Sequence, residues 1–187
     1  MRKNRGLFIG RFQPFHIGHL RALKWILSQE DEVIIAIGSS QFSHTIRNPF
    51  TVGERIEMIW RVLKEEKLLD KVIITSVPDT NGVHSIWVSM VLATCPSFDR
   101  VYTNDPLSRR LFREYNIIVK KIPFFEREKF TATLIREKII RGEKWQHLVP
   151  KQVYEYILEI NGDERLRELY GKKYDNCLLY TSPSPRD

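Results

Sequence analysis

Three side chains that can bind an anion stand close together near the start of the chain. They are Arg11, His16 and His19, within the stretch GRFQPFHIGH. Guanidinium and imidazole groups donate hydrogen bonds to phosphate oxygens, and histidines at this spacing share one face of a helical first turn. Gly18, between the histidines, lets a ligand approach the backbone. No third histidine, cysteine or carboxylate stands nearby, so the pattern favours phosphate binding over metal ligation.

The elements around this stretch also favour an anion site. An apolar run, Leu7 to Ile9, predicts a buried strand that ends at Gly10, and apolar spacing from Gly18 to Gln29 predicts a helix. A strand that turns into a helix leaves main-chain N–H groups unpaired at the turn, where an anion can accept from them. The sequence therefore predicts a phosphate site at the end of the first strand.

The rest of the chain alternates between strand and helix patterns. Strands are predicted over 7–9, 32–37, 71–77, 99–103 and 117–122. The second has no polar alternation, as expected for a strand buried on both faces of a parallel sheet. Helices are predicted over 18–29, 51–66, 85–94, 107–115, 132–141, 150–160 and 164–172. We predict an α/β fold: a doubly wound, Rossmann-like parallel five-stranded sheet with a C-terminal helical extension.

This pattern indicates one domain over residues 1–172. Residues 173–187 end in YTSPSPRD and lose the helical periodicity, so we expect a disordered or non-native tail.

Polar residues concentrate at the predicted carboxyl ends of the strands, where open parallel sheets bind ligands. After the first strand come Gly10, Arg11, Phe12, His16 and His19. After the next three strands come Ser39, Arg47, Asp79, Asn81, Trp87 and Asn104. The strands themselves are almost free of polar residues. This concentration predicts one site that spans several strand ends.

The composition narrows the location and the partners. The chain has 187 residues, of which 42% are hydrophobic and 28% charged, as in globular proteins. It has no apolar run long enough to cross a membrane and no signal-peptide pattern, and Cys95 and Cys177 lie far apart, so we expect a cytoplasmic protein. The net charge is +7, but acidic residues alternate with basic ones along the helices, which favours a solvated surface over nucleic-acid binding.

Two motifs resemble those of the nucleotidylyltransferase superfamily. Gly10-Arg-Phe-Gln-Pro-Phe-His-Ile-Gly-His19 resembles its HxGH signature, and Thr131-Ala-Thr133-Leu-Ile-Arg136 resembles its second signature. Within the superfamily, the stretches 38–55, 98–104 and 159–162 are similar to the archaeal type of nicotinamide-nucleotide adenylyltransferase. The similarity covers about residues 6–172. At Ala132 the chain has alanine where that family carries glycine or serine.

The resemblance implies a reaction between ATP and nicotinamide mononucleotide (NMN) that forms NAD and pyrophosphate, with Mg²⁺ held mostly by phosphate and water and by no protein side chain. Nicotinate mononucleotide is a further candidate substrate. By resemblance, the catalytic residues are His16, His19, Arg11 and Arg136. Further ATP contacts are Gly10, Phe12, Gly18, Thr131 and Thr133, and NMN contacts are Ser39, Arg47, Asp79, Asn81, Trp87 and Asn104. The family also suggests a homo-oligomer, a hexamer.

Ordinary structural roles compete with several of these assignments. Trp87 also fits a core position on its helix, and Asp79 and Asn81 fit an ordinary turn. Thr131 and Thr133 fit a helix N-cap, a role compatible with phosphate binding. Alternative functions are adenylyl transfer to phosphopantetheine or a flavin, a nucleic-acid-binding module, or a nucleotide sensor without catalysis.

Overall fold

The computed structural model of the chain describes residues 3–123 and 130–179, and for 171–179 it describes the backbone alone. Within these ranges, five strands form one parallel sheet in the order β3-β2-β1-β4-β5. They are β1 Arg5–Gly10, β2 Glu32–Ile37, β3 Val72–Ser76, β4 Arg100–Tyr102 and β5 Val119–Lys120. All four pairings are parallel. The predicted fold class is confirmed.

In the described residues, seven α-helices surround or extend the sheet. They are α1 Ile17–Leu27, α2 Val52–Glu65, α3 Trp87–Thr94, α4 Pro106–Glu114, α5 Ala132–Ile140, α6 Lys151–Glu159 and α7 Gly162–Leu179. Short 3-10 turns cover His84–Ile86 and Gln146–Leu148. Within the described ranges, none of these helices is long and apolar enough to cross a membrane.

Helices cover both faces of the sheet, and β2 is apolar on both sides. Val33 and Ile35 pack with buried residues of α1, α2, α5 and α6. Ile34 and Ala36 point the other way and pack with Val88 of α3 and with α4. This two-sided burial explains why the run of apolar residues in β2 shows no alternation.

Most predicted boundaries differ from the structure by one or two residues, and two elements, β5 and the last helix, differ most in length. β5 is shorter than the predicted 117–122, because the main chain of Ile122 pairs with a side chain instead of a strand. The Asn104 amide donates to Ile122 O at 2.8 Å and accepts from Ile122 N at 3.0 Å. The last helix passes through Gly171 and continues to Leu179 instead of ending at Lys172, since no proline interrupts it. The rest of the expected tail, 180–187, lies outside the described residues.

A buried carboxylate forms hydrogen bonds at the end of the sheet opposite the carboxyl ends of the strands. Glu30 accepts hydrogen bonds from Tyr102 Oη at 2.6 Å and from Arg100 Nη1 at 3.0 Å. Burial, followed by the Glu30 hydrogen bond, raises the pKa of Tyr102. The strand exits at the other end of the sheet hold the polar residues that the sequence singles out.

Candidate active site

Helix α1 begins with two histidines that cap each other. His16 is the N-cap, and its Nδ1 accepts from the main-chain N–H of His19 at 3.3 Å. Nδ1 of His19 accepts from the main-chain N–H of His16 at 3.2 Å. The rings stack with their centroids 3.5 Å apart. A Cβ on Gly18 would lie 3.1 Å from the His16 ring, so glycine leaves that ring its place.

This reciprocal cap defines the protonation of both rings. A nitrogen that accepts from a main-chain N–H carries no proton, so each neutral ring carries its proton on Nε2. Burial lowers the pKa of His16 to about 3. Burial, followed by the neighbouring His16, lowers the pKa of His19 well below its ordinary value. At neutral pH both rings are therefore uncharged, and Nε2–H is the donor left for a ligand.

Arg136 brings a buried positive charge to the same place. Its Nη1 donates to Gln13 O at 2.8 Å and its Nη2 to Thr133 Oγ1 at 3.3 Å. Among the described residues, no carboxylate forms an ion pair with its guanidinium. Burial, followed by the charges of Arg11 and Arg47, lowers the pKa of Arg136 to about 10, so it remains charged at neutral pH.

The start of α5 lies beside these groups. Thr131 is its N-cap, with Oγ1 accepting from Leu134 N at 3.2 Å, so the predicted capping role is confirmed. A helix N-terminus presents unpaired N–H groups to an anion. Capping and anion binding remain compatible at this position.

A first cavity of about 440 Å³ gathers these groups. Of the predicted catalytic and ATP-binding residues, only Gly10 does not line it; the others are Arg11, Phe12, His16, Gly18, His19, Thr131, Thr133 and Arg136. Phe12 is buried, with its ring edge-on to His19 at 4.8 Å. Asn104, which we predicted for the NMN side, lies here with its amide paired to Ile122.

A second cavity of about 470 Å³ contains most of the predicted acceptor residues, namely Ser39, Arg47, Asp79 and Trp87, together with Gly10. Ser39 Oγ donates to Asp79 Oδ2 at 3.2 Å, which links the loops after β2 and β3. Trp87 lines the cavity and also packs edge-on against Phe112 at 5.3 Å. The position of Trp87 is therefore compatible with both the ring-stacking and the core interpretation.

Asn81 is absent from both cavity linings. It is exposed, has a positive φ of 52°, and donates its main-chain N–H to Asp79 Oδ1 at 2.8 Å. This geometry is that of an ordinary turn, the alternative that the sequence left open.

The two cavities share Ile9, Arg11, Thr103 and Asp105. Desolvation in the cleft, followed by the charge of Arg47, lowers the pKa of Arg11, and the carboxylate of Asp79 opposes that shift. Asp105 N-caps α4 by accepting from Ser108 N at 2.7 Å. Arg11 is thus common to the cavity of the predicted ATP-binding residues and the cavity of the predicted NMN-binding residues.

Sequence reasoning missed several residues of this region, among them Gln13, Arg55 and Asp105. Asp105 lines both cavities, Gln13 lines the first, and Arg55 is buried and bonds the main chain of Arg11 and Ser39. The Gln13 amide donates to Phe50 O at 2.9 Å and accepts from Phe50 N at 3.0 Å. A polar residue within a phosphate-binding signature was a signal that could have identified Gln13. Arg55 gave no such signal, because a helical arginine is usually exposed.

The donor set does not resemble a protein metal centre. Across the part of the chain that the structure describes, no three histidine, cysteine, aspartate or glutamate side chains are grouped to hold a metal ion. The cleft instead combines neutral imidazole donors with several guanidinium groups, a set that suits phosphate oxygens.

The histidine pair predicts a loss of stability in acid. Both native pKa values lie below the unfolded value of about 6.5, so the unfolded chain binds more protons as the pH falls from 6.5 towards 3. The histidines therefore favour folding fully above pH 6.5 and progressively less below it. Well below pH 6.5, we expect the free energy of unfolding to fall by about 1.4 kcal/mol per pH unit for each histidine.

Urea unfolding from pH 7 to pH 4 measures this dependence. His16→Asn supplies a matched control, because asparagine is a good N-cap and does not titrate. We expect a shallower slope for this variant. The same slope for both proteins would contradict the assignment.

Comparisons with known proteins agree with this geometry. Residues 7–138 match the family described as cytidylyltransferase-like. A nicotinamide-nucleotide adenylyltransferase of Saccharolobus solfataricus is 50% identical over 169 residues, which cover 90% of this chain and 98% of that protein. The protein of the same name from Thermoplasma volcanium is 49% identical over 90% of this chain and 93% of its own length.

Solved structures share the fold. A bifunctional NMN adenylyltransferase/ADP ribose pyrophosphatase of Francisella tularensis, complexed with AMP and manganese, superposes with a TM-score of 0.77 at 24% identity. The alignment covers 99% of this chain but 58% of that one, so this chain spans little more than half of its length. A putative nicotinate-nucleotide adenylyltransferase of Vibrio parahaemolyticus has a TM-score of 0.61 at 18% identity, over 89% and 97% of the chains. The chain therefore belongs to the cytidylyltransferase-like family, alongside the archaeal nicotinamide-nucleotide adenylyltransferases.

Proposed function

We propose that this chain transfers the adenylyl group of ATP to NMN, forming NAD and pyrophosphate. The observation that carries the proposal is the pair of cavities that adjoin at Arg11. The histidine pair and Arg136 line one cavity, while Arg47 and Trp87 line the other. Relatives about 50% identical to the chain carry the name of this activity.

In this reaction an oxygen of the NMN phosphate attacks the α-phosphorus of ATP. A P–O bond forms to NMN, the bond from the α-phosphorus to the bridging oxygen breaks, and pyrophosphate leaves with the electron pair. The attacking phosphate is already ionised, so the protein supplies position and charge rather than a nucleophile. The Nε2–H groups of His16 and His19 donate to the α-phosphate oxygens, where negative charge grows.

The remaining ATP contacts follow from the first cavity. Arg11 and Arg136 hold the β- and γ-phosphates, and the N-terminus of α5 at Thr131 and Thr133 adds main-chain donors. Mg²⁺ fits this donor set as an ion carried by the triphosphate and water, and it supplies further neutralisation of charge.

The NMN contacts follow from the second cavity. Arg47 holds the NMN phosphate with help from Ser39, Asp79 accepts from ribose or carboxamide groups, and Trp87 stacks on the nicotinamide ring. We assign no direct contact to Asn81, which lies outside both cavities. Asn104 has its amide committed to Ile122, so we assign it to shaping the ATP side.

Two further proposals rest on the family resemblance and the composition. The protein forms a hexamer and acts in the cytoplasm. Light scattering of the purified protein would test the assembly state, and a monomeric mass would reject the hexamer.

The activity is tested by incubating the protein with ATP, Mg²⁺ and one acceptor at a time. We expect pyrophosphate release with NMN, giving NAD, and we propose some release with nicotinate mononucleotide. EDTA should abolish turnover and added Mg²⁺ should restore it. Phosphopantetheine and flavin mononucleotide test the alternative acceptors. Turnover with either of these and with neither pyridine nucleotide would reject the proposal.

His19→Ala should lower kcat by about 10²–10³-fold while leaving the KM for NMN nearly unchanged, because the donor acts mainly on the transition state. His19→Gln is the matched control for capping, since glutamine at this position can still accept from the His16 N–H. We expect this variant to be as stable as the wild type and still slow. Full activity in His19→Gln would show that the histidine serves only as a cap.

Trp87→Ala should raise the KM for NMN about tenfold, the equivalent of about 1.4 kcal/mol of lost ring contact. The KM for ATP should stay constant. Trp87→Phe keeps an aromatic surface and should recover most of the affinity. An unchanged KM for NMN in Trp87→Ala would make the residue a core aromatic alone.

A further inference from the structure

Arg55 is a fully buried arginine of α2 whose side chain reaches the carboxyl ends of β1 and β2. Its Nη1 donates to Arg11 O at 2.9 Å and to Gly38 O at 2.8 Å. Its Nη2 donates to Ser39 O at 3.2 Å. One guanidinium therefore bonds the residue after β1 and the two residues after β2.

The bonds of Arg55 go to neutral acceptors. Its neighbour Glu54 is occupied by Arg165, at 2.7 Å, and by the main chain of Thr51, at 2.9 Å. In the described ranges, no ion pair joins Arg55 to a carboxylate. Burial, followed by the nearby charge of Arg11, lowers the pKa of Arg55 to about 10, so the group stays charged. A buried charge of this kind opposes folding, which makes a purely stabilising role a poor explanation.

The two strand exits that Arg55 joins belong to different halves of the site. Arg11 lines both cavities, whereas Ser39 lines the second cavity alone. Nucleotidyl transfer requires the acceptor phosphate and the α-phosphate to meet in line, so an error of about 1 Å between the two halves costs about 100-fold in rate.

We infer that Arg55 is a positioning residue that sets the ATP half of the site against the acceptor half by holding the main chain at Arg11, Gly38 and Ser39. This role rests on the proposed function. It uses both terminal nitrogens of the planar guanidinium, because Nη1 bonds the carbonyls of Arg11 and Gly38 while Nη2 bonds that of Ser39, and an ammonium group has one nitrogen in place of these two.

The test compares Arg55→Lys and Arg55→Ala with the wild type in NAD formation. Misalignment should affect the joint step more than the binding of either substrate. For Arg55→Ala we expect kcat to fall about 100-fold, with the KM for ATP and the KM for NMN each changing less than about threefold. For Arg55→Lys we expect a fall of about tenfold. Guanidinium ions, far below denaturing concentrations, should restore part of the activity of Arg55→Ala, whereas methylammonium should not.

Arg100→Ala is the matched control, because it removes a guanidinium bonded to Glu30 at the far end of the sheet. We expect it to lower the free energy of unfolding and leave kcat unchanged. If Arg55→Ala does not fold, Arg55→Lys decides alone. A wild-type kcat in Arg55→Lys, or an equal loss of kcat in Arg100→Ala, would overturn the positioning role. A wild type that makes no NAD would refute the proposed function itself and this role with it.

Discussion

The cleft depends on buried guanidinium groups whose hydrogen bonds go to main-chain carbonyls and a threonine hydroxyl instead of carboxylates. Arg55 bonds the exits of β1 and β2, and Arg136 bonds Gln13 O. A carbonyl oxygen accepts a hydrogen bond from a guanidinium N–H but does not neutralise the charge of the guanidinium. The positive charge of these groups therefore persists near Arg11 and Arg47. In a region of low dielectric this uncompensated charge is costly, and an anionic ligand relieves the cost. The same bonds hold the strand exits in place, so one set of contacts supplies both the charge and the geometry of the site.

The sheet order explains why two cavities adjoin there. From β1 the chain proceeds to β2 and β3 on one side, and then returns to β4 and β5 on the other. The connections that follow the adjacent strands β1 and β4 therefore run in opposite directions. Open α/β sheets bind ligands in the crevice that this reversal leaves at the carboxyl ends of the strands. Thr103 and Asp105, which follow β4, and Arg11, which follows β1, line both cavities. Two ligands can lie side by side at this point.

The sequence predicted the residues with charged or imidazole side chains at the strand ends better than the residues that act by bonding the main chain. The limits of β2 follow from its unbroken apolar run, and the strand-end rule gathers Arg11, His16 and His19 correctly in one cavity. β5 was predicted too long because only the folded chain brings the Asn104 amide to Ile122. The contact predicted for Asn81 stays a prediction that the two cavities do not support, because a turn residue and a ligand contact look alike in a sequence. Arg55 was missed because its partners are carbonyls, which every residue carries and no sequence pattern identifies.

The reciprocal cap of His16 and His19 also limits the chemistry that these rings can perform. Because each Nδ1 already accepts a main-chain N–H, a ring can bind a second proton there only by losing the cap of α1. The low pKa of His16, about 3, expresses the same preference for the neutral ring. Such imidazoles are poor proton acceptors and well-aligned donors at Nε2. Attack by an ionised phosphate needs no proton removed, so a pair of fixed neutral donors suits nucleotidyl transfer better than it suits a reaction that requires a general base.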